Sequence, residues 1–265
     1  MDHFPTNWGR PRNDAYDAYN TYPLHQRPNH HTDVFSDGVQ RTQQPIVTGT
    51  SVLAIKFKDG IMMAADTLAS YGSLARFKSI QRLQAVGNST VLGVSGDMSD
   101  FQYLQTLLDE LIIEEFAAAD KHELGPAEIH EYLARVMYAR RSKMNPLWNA
   151  ILVGGHKDGK SFLAFVDLLG TTYSASTLAT GYGAYIALPL LRKAVEGREN
   201  TLTEEEARKI LTDCMRVLFY RDARSLNKFQ LATVTEAGVS ISDTLTLETS
   251  WGFAEGIRGY GAQTQ

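Results

Sequence analysis

The chain has 265 residues, of which 43% are hydrophobic, and a formal net charge of −4. Length and apolar share suit one large domain with appendages, and the weak acidic balance gives no electrostatic reason to expect nucleic acid or an anionic membrane as partner. No apolar run approaches bilayer length, and the opening MDHFPTNWGR lacks the apolar centre of a secretory signal. The single cysteine, Cys214, excludes an intrachain disulfide and fits a reducing compartment. It falls on the apolar stripe of an expected helix, where a thiol is ordinarily core rather than nucleophile. A soluble intracellular protein is expected.

Residues 1–41 hold four of the eight prolines and four of the seven histidines, with almost no aliphatic residues. Such a segment buries too little apolar surface to offset its ordering entropy, so it reads as a flexible leader. His3, His25, His30 and His31 follow no metal-ligand spacing, and neither a metal nor a cofactor is expected.

From Val47 onward strands and helices alternate in groups. Apolar runs predict strands near 51–57, 61–67 and 90–95, the first two joined by Asp59-Gly60, a dipeptide that favours a tight hairpin. A helix from about Asp97–Asp100 carries Phe101, Leu104, Leu108, Leu111, Ile112 and Phe116 on one face. A second opens on Pro126 and carries Ile129, Leu133, Val136 and Met137. Three further runs read as strands: NAILVGGH, SFLAFVD after a turn at Lys157-Asp158-Gly159, and GTTYSAST. A third helix runs from Gly181 towards Gly197, with Pro189 marking a kink or the true start. The fourth opens on a capping box, Thr203 and Glu206, and its stripe is Ala207, Ile210, Leu211, Cys214, Val217 and Leu218. Two strands, KFQLATV and GVSISDT, close the pattern around Glu236-Ala237-Gly238.

Strands, helix pair, strands, helix pair, strands is the order of an α+β fold: a four-layer αββα sandwich, two stacked antiparallel sheets flanked by helix pairs. Near-unbroken apolar runs such as VLAIKF and IMMAA fit strands covered on both faces. Within this frame Thr50, Asp66 and Arg82 recur at equal intervals. Pairing the first two strands brings Asp66 to the sheet end where Thr50 sits, so a hydroxyl, a carboxylate and a cation converge. That is the layout of an N-terminal nucleophile site.

TGTSVLAIKFKDGIMMAADT resembles the opening of proteasome β subunits, whose active members carry threonine at a new N-terminus, an aspartate, and then a lysine. The resemblance covers roughly residues 42–250. ATGYGA at 179–184 is similar to the family's serine-glycine turn, and YRDARS at 220–225 to its aspartate-x-x-serine corner. TQQPIVTGTS (42–51), RRSKMNPLWNA (140–150) and IRGYGAQ (257–263) narrow it to a non-catalytic member of the β ring of the 20S core particle. The resemblance implies an N-terminal nucleophile hydrolase-like fold, no cofactor, and partnership with other α and β subunits in stacked seven-membered rings. It implies a role in intracellular protein degradation in cytoplasm and nucleus, and a leader removed between Arg41 and Thr42. It also implies a C-terminal extension, 251–265, that reaches the opposite β ring, with Trp251, Phe253, Ile257 and Tyr260 as interface anchors.

The family's site maps onto Thr50, Asp66, Arg82, Thr180, Asp222 and Ser225, and two of these depart from the active pattern. Arg82 stands where active members have lysine, and a planar five-donor guanidinium does not replace an ammonium conservatively. Thr180 stands where they have serine, and branching at Cβ stiffens its rotamer. A vestigial, non-catalytic site follows, with Asp66 and Asp222 expected to pair with Arg82 in a partly buried ion cluster. The alternative is an active threonine peptidase exposed by cleavage at Gly49-Thr50. A free-standing binding module fits less well, because a lone ring subunit would leave sheet edges and helix faces uncovered.

Overall fold

In the computed structural model, described for residues 44–118 and 122–254, sheet building is governed by alternation. Along β2 (Val52–Phe57) and β3 (Gly60–Asp66), Val52, Ala54, Ile61, Met63 and Ala65 point one way and Leu53, Ile55, Phe57, Met62 and Ala64 the other. All are buried, so these strands are covered on both faces. The leader, including Arg41 and Thr42, and the tail residues Ile257 and Tyr260 lie outside the described residues.

Two antiparallel sheets result. The larger runs β10 (Thr172–Ser174), β9 (Lys160–Val166), β8 (Asn149–Lys157), β7 (Thr90–Asp97), β1 (Val47–Gly49), β4 (Ala69–Tyr71), β5 (Leu74–Phe77), with β6 (Leu83–Val86) also paired to β7. The smaller runs β11 (Thr177–Ala179), β2, β3, β12 (Lys228–Thr235), β13 (Gly238–Ile241), with β14 (Leu245–Thr246) also paired to β12. Between them lies a core of Val52, Ala54, Ile61, Met63, Val91, Leu152 and their neighbours. Gly93 permits close contact of the sheets, since a Cβ there would sit 2.5 Å from Val52 Cγ1.

Helices cover both outer faces. The large sheet carries α1 (Met98–Ala118) and α2 (Pro126–Ser142), with Phe101, Leu104, Leu108, Ile129, Leu133 and Met137 packed over Leu92, Val94, Ile151 and Val153. The small sheet carries α3 (Gly183–Ile186), α4 (Leu188–Val195) and α5 (Glu204–Arg221), with Leu191, Val195, Leu211, Cys214 and Leu218 over Leu53, Ile55 and Met62. This is the expected αββα sandwich.

Several local expectations need correction. Phe116 is 87% exposed, and α1 buries nothing fully beyond Leu108. Val136 and Val217 are only partly buried, and Met215 takes the core place expected for Val217. GTTYSAST is two strands, β10 and β11, in different sheets; Ala175 and Ser176 carry the chain across. Pro189 does mark a true start, at the head of α4 after a break at Ala187. The short strands β1, β4, β5 and β6 have no legible signal in the sequence, since three or four residues are too few to show a period.

Candidate functional site

Thr50 and Ser51 lie where the chain passes from β1 in the large sheet to β2 in the small one. Their carbonyls leave the ladders at that crossing, and a buried carbonyl without a partner is costly. Arg82 supplies the partners. Nη1 donates to Thr50 O at 2.6 Å and Nη2 to Ser51 O at 2.8 Å. Nε donates to Asp66 O at 3.0 Å, Nη1 also to Val94 O at 3.3 Å, and Nη2 to the Asp66 carboxylate in a buried ion pair. All five guanidinium donors are thereby engaged. Arg82 is 1% exposed and joins β1–β2, the end of β3 and β7.

Gly49 accommodates this side chain. A Cβ at Gly49 would lie 2.5 Å from Arg82 Cδ and 3.0 Å from Nη1. The Asp66 carboxylate also accepts from Leu226 N at 3.0 Å. Burial pushes its pKa up to about 6, against the lowering pull of Arg82 and of the Leu226 N–H.

Asp222 does not join this cluster, contrary to the expected pairing with Arg82. It ends α5, with Oδ1 accepting from Arg224 N at 2.9 Å and Oδ2 accepting from Thr50 Oγ1 at 2.6 Å. Thr180 bonds β2: its hydroxyl accepts from Val52 N and its own N–H donates to Val52 O, both at 2.9 Å. Ser225 Oγ lies 2.7 Å from Asp222 O and 3.3 Å from Leu218 O, serving the end of α5. Of the five expected partners, Asp222 alone meets the Thr50 hydroxyl, and Arg82 meets only its carbonyl. Thr180 and Ser225 brace the walls.

The residues before Thr50 form a strand paired on both edges. Thr48 lies opposite Ser70 of β4 and Asp97 of β7, and Gly49 opposite Gly96. Asp97 Oδ2 accepts from Ile46 N at 2.8 Å. Sequence reading missed Asp97, which was visible only as a helix-start residue. It also missed Ser51, whose hydroxyl accepts from Gly183 N at 2.8 Å. A cleft of about 370 Å³ lies alongside, lined by Thr48, Gly49, Thr50, Trp148, Tyr182 and Arg224 among others.

Chemically, the Thr50 nitrogen is an amide with no basic lone pair, so the hydroxyl has a carboxylate neighbour but no amine to take its proton. Cys214 offers no alternative nucleophile, for burial raises its thiol to about 12. Among the described residues, no group of three or more His, Cys, Asp or Glu is placed to hold a metal ion, and no helix is long and apolar enough to cross a membrane.

The family model for the proteasome subunit matches residues 46–234. The chain belongs to the proteasome subunit family. It is 50% identical to the probable proteasome subunit beta type-7 of Schizosaccharomyces pombe, over 97% of this chain and 96% of that protein. It is 53% identical to proteasome subunit beta type-4 of Xenopus laevis, over 84% of this chain and 91% of the relative. Against proteasome subunit beta type-7 of Saccharomyces cerevisiae, identity is 48% over 99% of each chain. In this proteasome subunit Thr50 directly follows β1, which lies in the large sheet between β4 and β7.

Proposed function

We propose that this proteasome subunit is a non-catalytic structural and assembly member of the β ring of the 20S core particle, with Thr50 kept inside the chain. The observation that carries this is β1: the acyl side of the Gly49–Thr50 bond belongs to a strand hydrogen-bonded to β4 and to β7. Its own segment occupies the place beside Thr50 that an extended peptide would need. Arg82 adds support, because its five donors are spent on carbonyls and Asp66. None is left to tune a nucleophile.

In this role the subunit packs with other α and β subunits in stacked seven-membered rings, in cytoplasm and nucleus. Its leader is removed before Thr42, and the extension 251–265 meets the opposite β ring. The test is Thr50→Ala in assembled particles. Every peptidase activity of the particle should be unchanged, and loss of one activity with assembly intact would sink the proposal.

A second reading, an active threonine peptidase, draws on one observation: the 2.6 Å hydrogen bond from Thr50 Oγ1 to Asp222. It requires hydrolysis of Gly49–Thr50 and withdrawal of β1 from between two strands. The same alanine variant decides between the two.

A further inference from the structure

Asp97 uses its two carboxylate oxygens for different tasks. Oδ1 accepts from Ser99 N at 2.8 Å and Asp100 N at 3.1 Å, capping α1. Oδ2 accepts from Ile46 N at 2.8 Å. Asp97 is buried, and its backbone is fixed on both sides: its N–H donates to Trp148 O, and its carbonyl accepts from Asn149 Nδ2 at 2.8 Å. A rigid acceptor therefore holds the first amide of the segment that becomes β1. Immediately after it, Val47 packs on the large sheet's outer core, and Val47, Thr48 and Gly49 enter the ladders with β4 and β7. Before it, Gln44 and Pro45 are exposed and have no ladder partner.

We infer that the Asp97–Ile46 hydrogen bond is the stop for N-terminal trimming: cuts are confined to bonds upstream of Ile46, and those from Ile46 to Thr50 are protected. The inference rests on the proposed removal of a leader and adds the residue that sets its limit. A peptidase must draw several residues of substrate into an extended, unpaired form. Residues 46–49 can be drawn out only by breaking a charge-assisted hydrogen bond and two strand pairings together. Each cut adds one water across a peptide C–N bond, leaving a carboxylate on the released piece and a new α-amine on this chain. The peptidase is a protein other than this one. Asp97 is a positioning residue and takes no part in that hydrolysis.

Asp97→Asn separates the two tasks. The amide oxygen can still cap α1, but the NH2 group then faces the Ile46 N–H, donor against donor. Asp100→Asn is the control, since it removes a charge from the same helix turn and the Asp100 carboxylate bonds Trp148 N rather than residues 44–49. The measurement is the intact mass of the subunit from assembled particles, with amide hydrogen exchange of residues 46–49. In the parent and in Asp100→Asn the chain should begin upstream of Ile46. In Asp97→Asn a substantial fraction should begin within 46–49, with exchange there faster by roughly tenfold or more. If Asp97→Asn fails to enter particles, subtilisin digestion of the purified full-length chain gives the same comparison.

An Asp97→Asn chain with the parent's terminus and the parent's exchange would overturn the inference. A parent that keeps its whole leader would instead overturn the proposed processing, and the exchange comparison would then decide the role of Asp97 alone.

Discussion

Arg82 reaches Thr50 through the carbonyl oxygen, at 2.6 Å, while the Thr50 hydroxyl turns to Asp222. A cation that tuned a nucleophile would face the hydroxyl or the nitrogen. Here it satisfies the backbone at the point where the chain changes sheets. Arg82→Ala should therefore act on stability and assembly, leaving Asp66 without a counter-charge and several carbonyls unpaired. Breaking one side of a buried pair costs about 3–5 kcal/mol, and the yield of assembled particles should fall. Arg82→Lys keeps the charge but has three donors for five acceptors, so it should fall between alanine and parent and create no peptidase activity. Thermal unfolding of the purified subunit, with particle yield, checks both; a parent-like melting curve for Arg82→Ala would refute this role of Arg82.

Gly49→Ala should destabilise although alanine is small. The new methyl would overlap the Arg82 side chain at Cδ, which is held by its five hydrogen bonds and has little room to give. A cost of about 1–3 kcal/mol is expected for overpacking. The double variant Gly49→Ala with Arg82→Ala should show a cost smaller than the sum of the two. Additive costs in a double-mutant cycle would show that the two positions do not press on each other.

Asp66 should give a pH signature. Its folded pKa, about 6, lies above the ordinary aspartate value of 3.8. The folded state therefore holds the proton more tightly. This contribution to stability is fully present below the unfolded pKa and is lost as pH rises through the folded one. Asp66→Asn cannot titrate, so the stability of the parent relative to this variant should rise by about 1–2 kcal/mol between neutral pH and pH about 5. Urea unfolding of both proteins at the two pH values measures it. A difference independent of pH would mean that Asp66 is not shifted upward.

Much of this could be read from the residues. Long apolar runs gave the central strands, and the Thr203–Glu206 capping box, present in the structure as a reciprocal pair, placed the start of α5. Thr50, Asp66 and Arg82 do converge. Their atoms could not be assigned, because which oxygen a guanidinium meets depends on the sheet crossing at Thr50–Ser51, and β1 is three residues long. The same holds for Thr180, whose hydroxyl belongs to the β2–β11 edge. The Asp97–Ile46 contact spans 51 positions of sequence, a separation over which no local pattern carries information.

The C-terminal segment shows a similar limit. Trp251 and Phe253, expected as interface anchors, pack with Tyr220 of α5 at ring-centroid distances of 5.1 and 5.2 Å, and Ser250 N donates to the Tyr220 hydroxyl at 2.8 Å. They remain 49% and 65% exposed, so their outer faces are free among the described residues. Tyr220 thus holds residues 250–253 against α5. Truncation after Ser250 should leave the domain folded while half-particles accumulate, and Tyr220→Ala should give a weaker form of the same defect. Native gel analysis of particle assembly tests this; full-length particles that form as fast and resist heat and salt equally well would refute it.

The most direct test of a Thr50 retained within the chain is the N-terminal sequence of this subunit isolated from assembled, proteolytically active particles. The expected result is a terminus upstream of Ile46, with Gly49–Thr50 intact in every molecule. A terminus at Thr50 itself would contradict the non-catalytic assignment, because it would show that β1 is removed and the threonine amine set free.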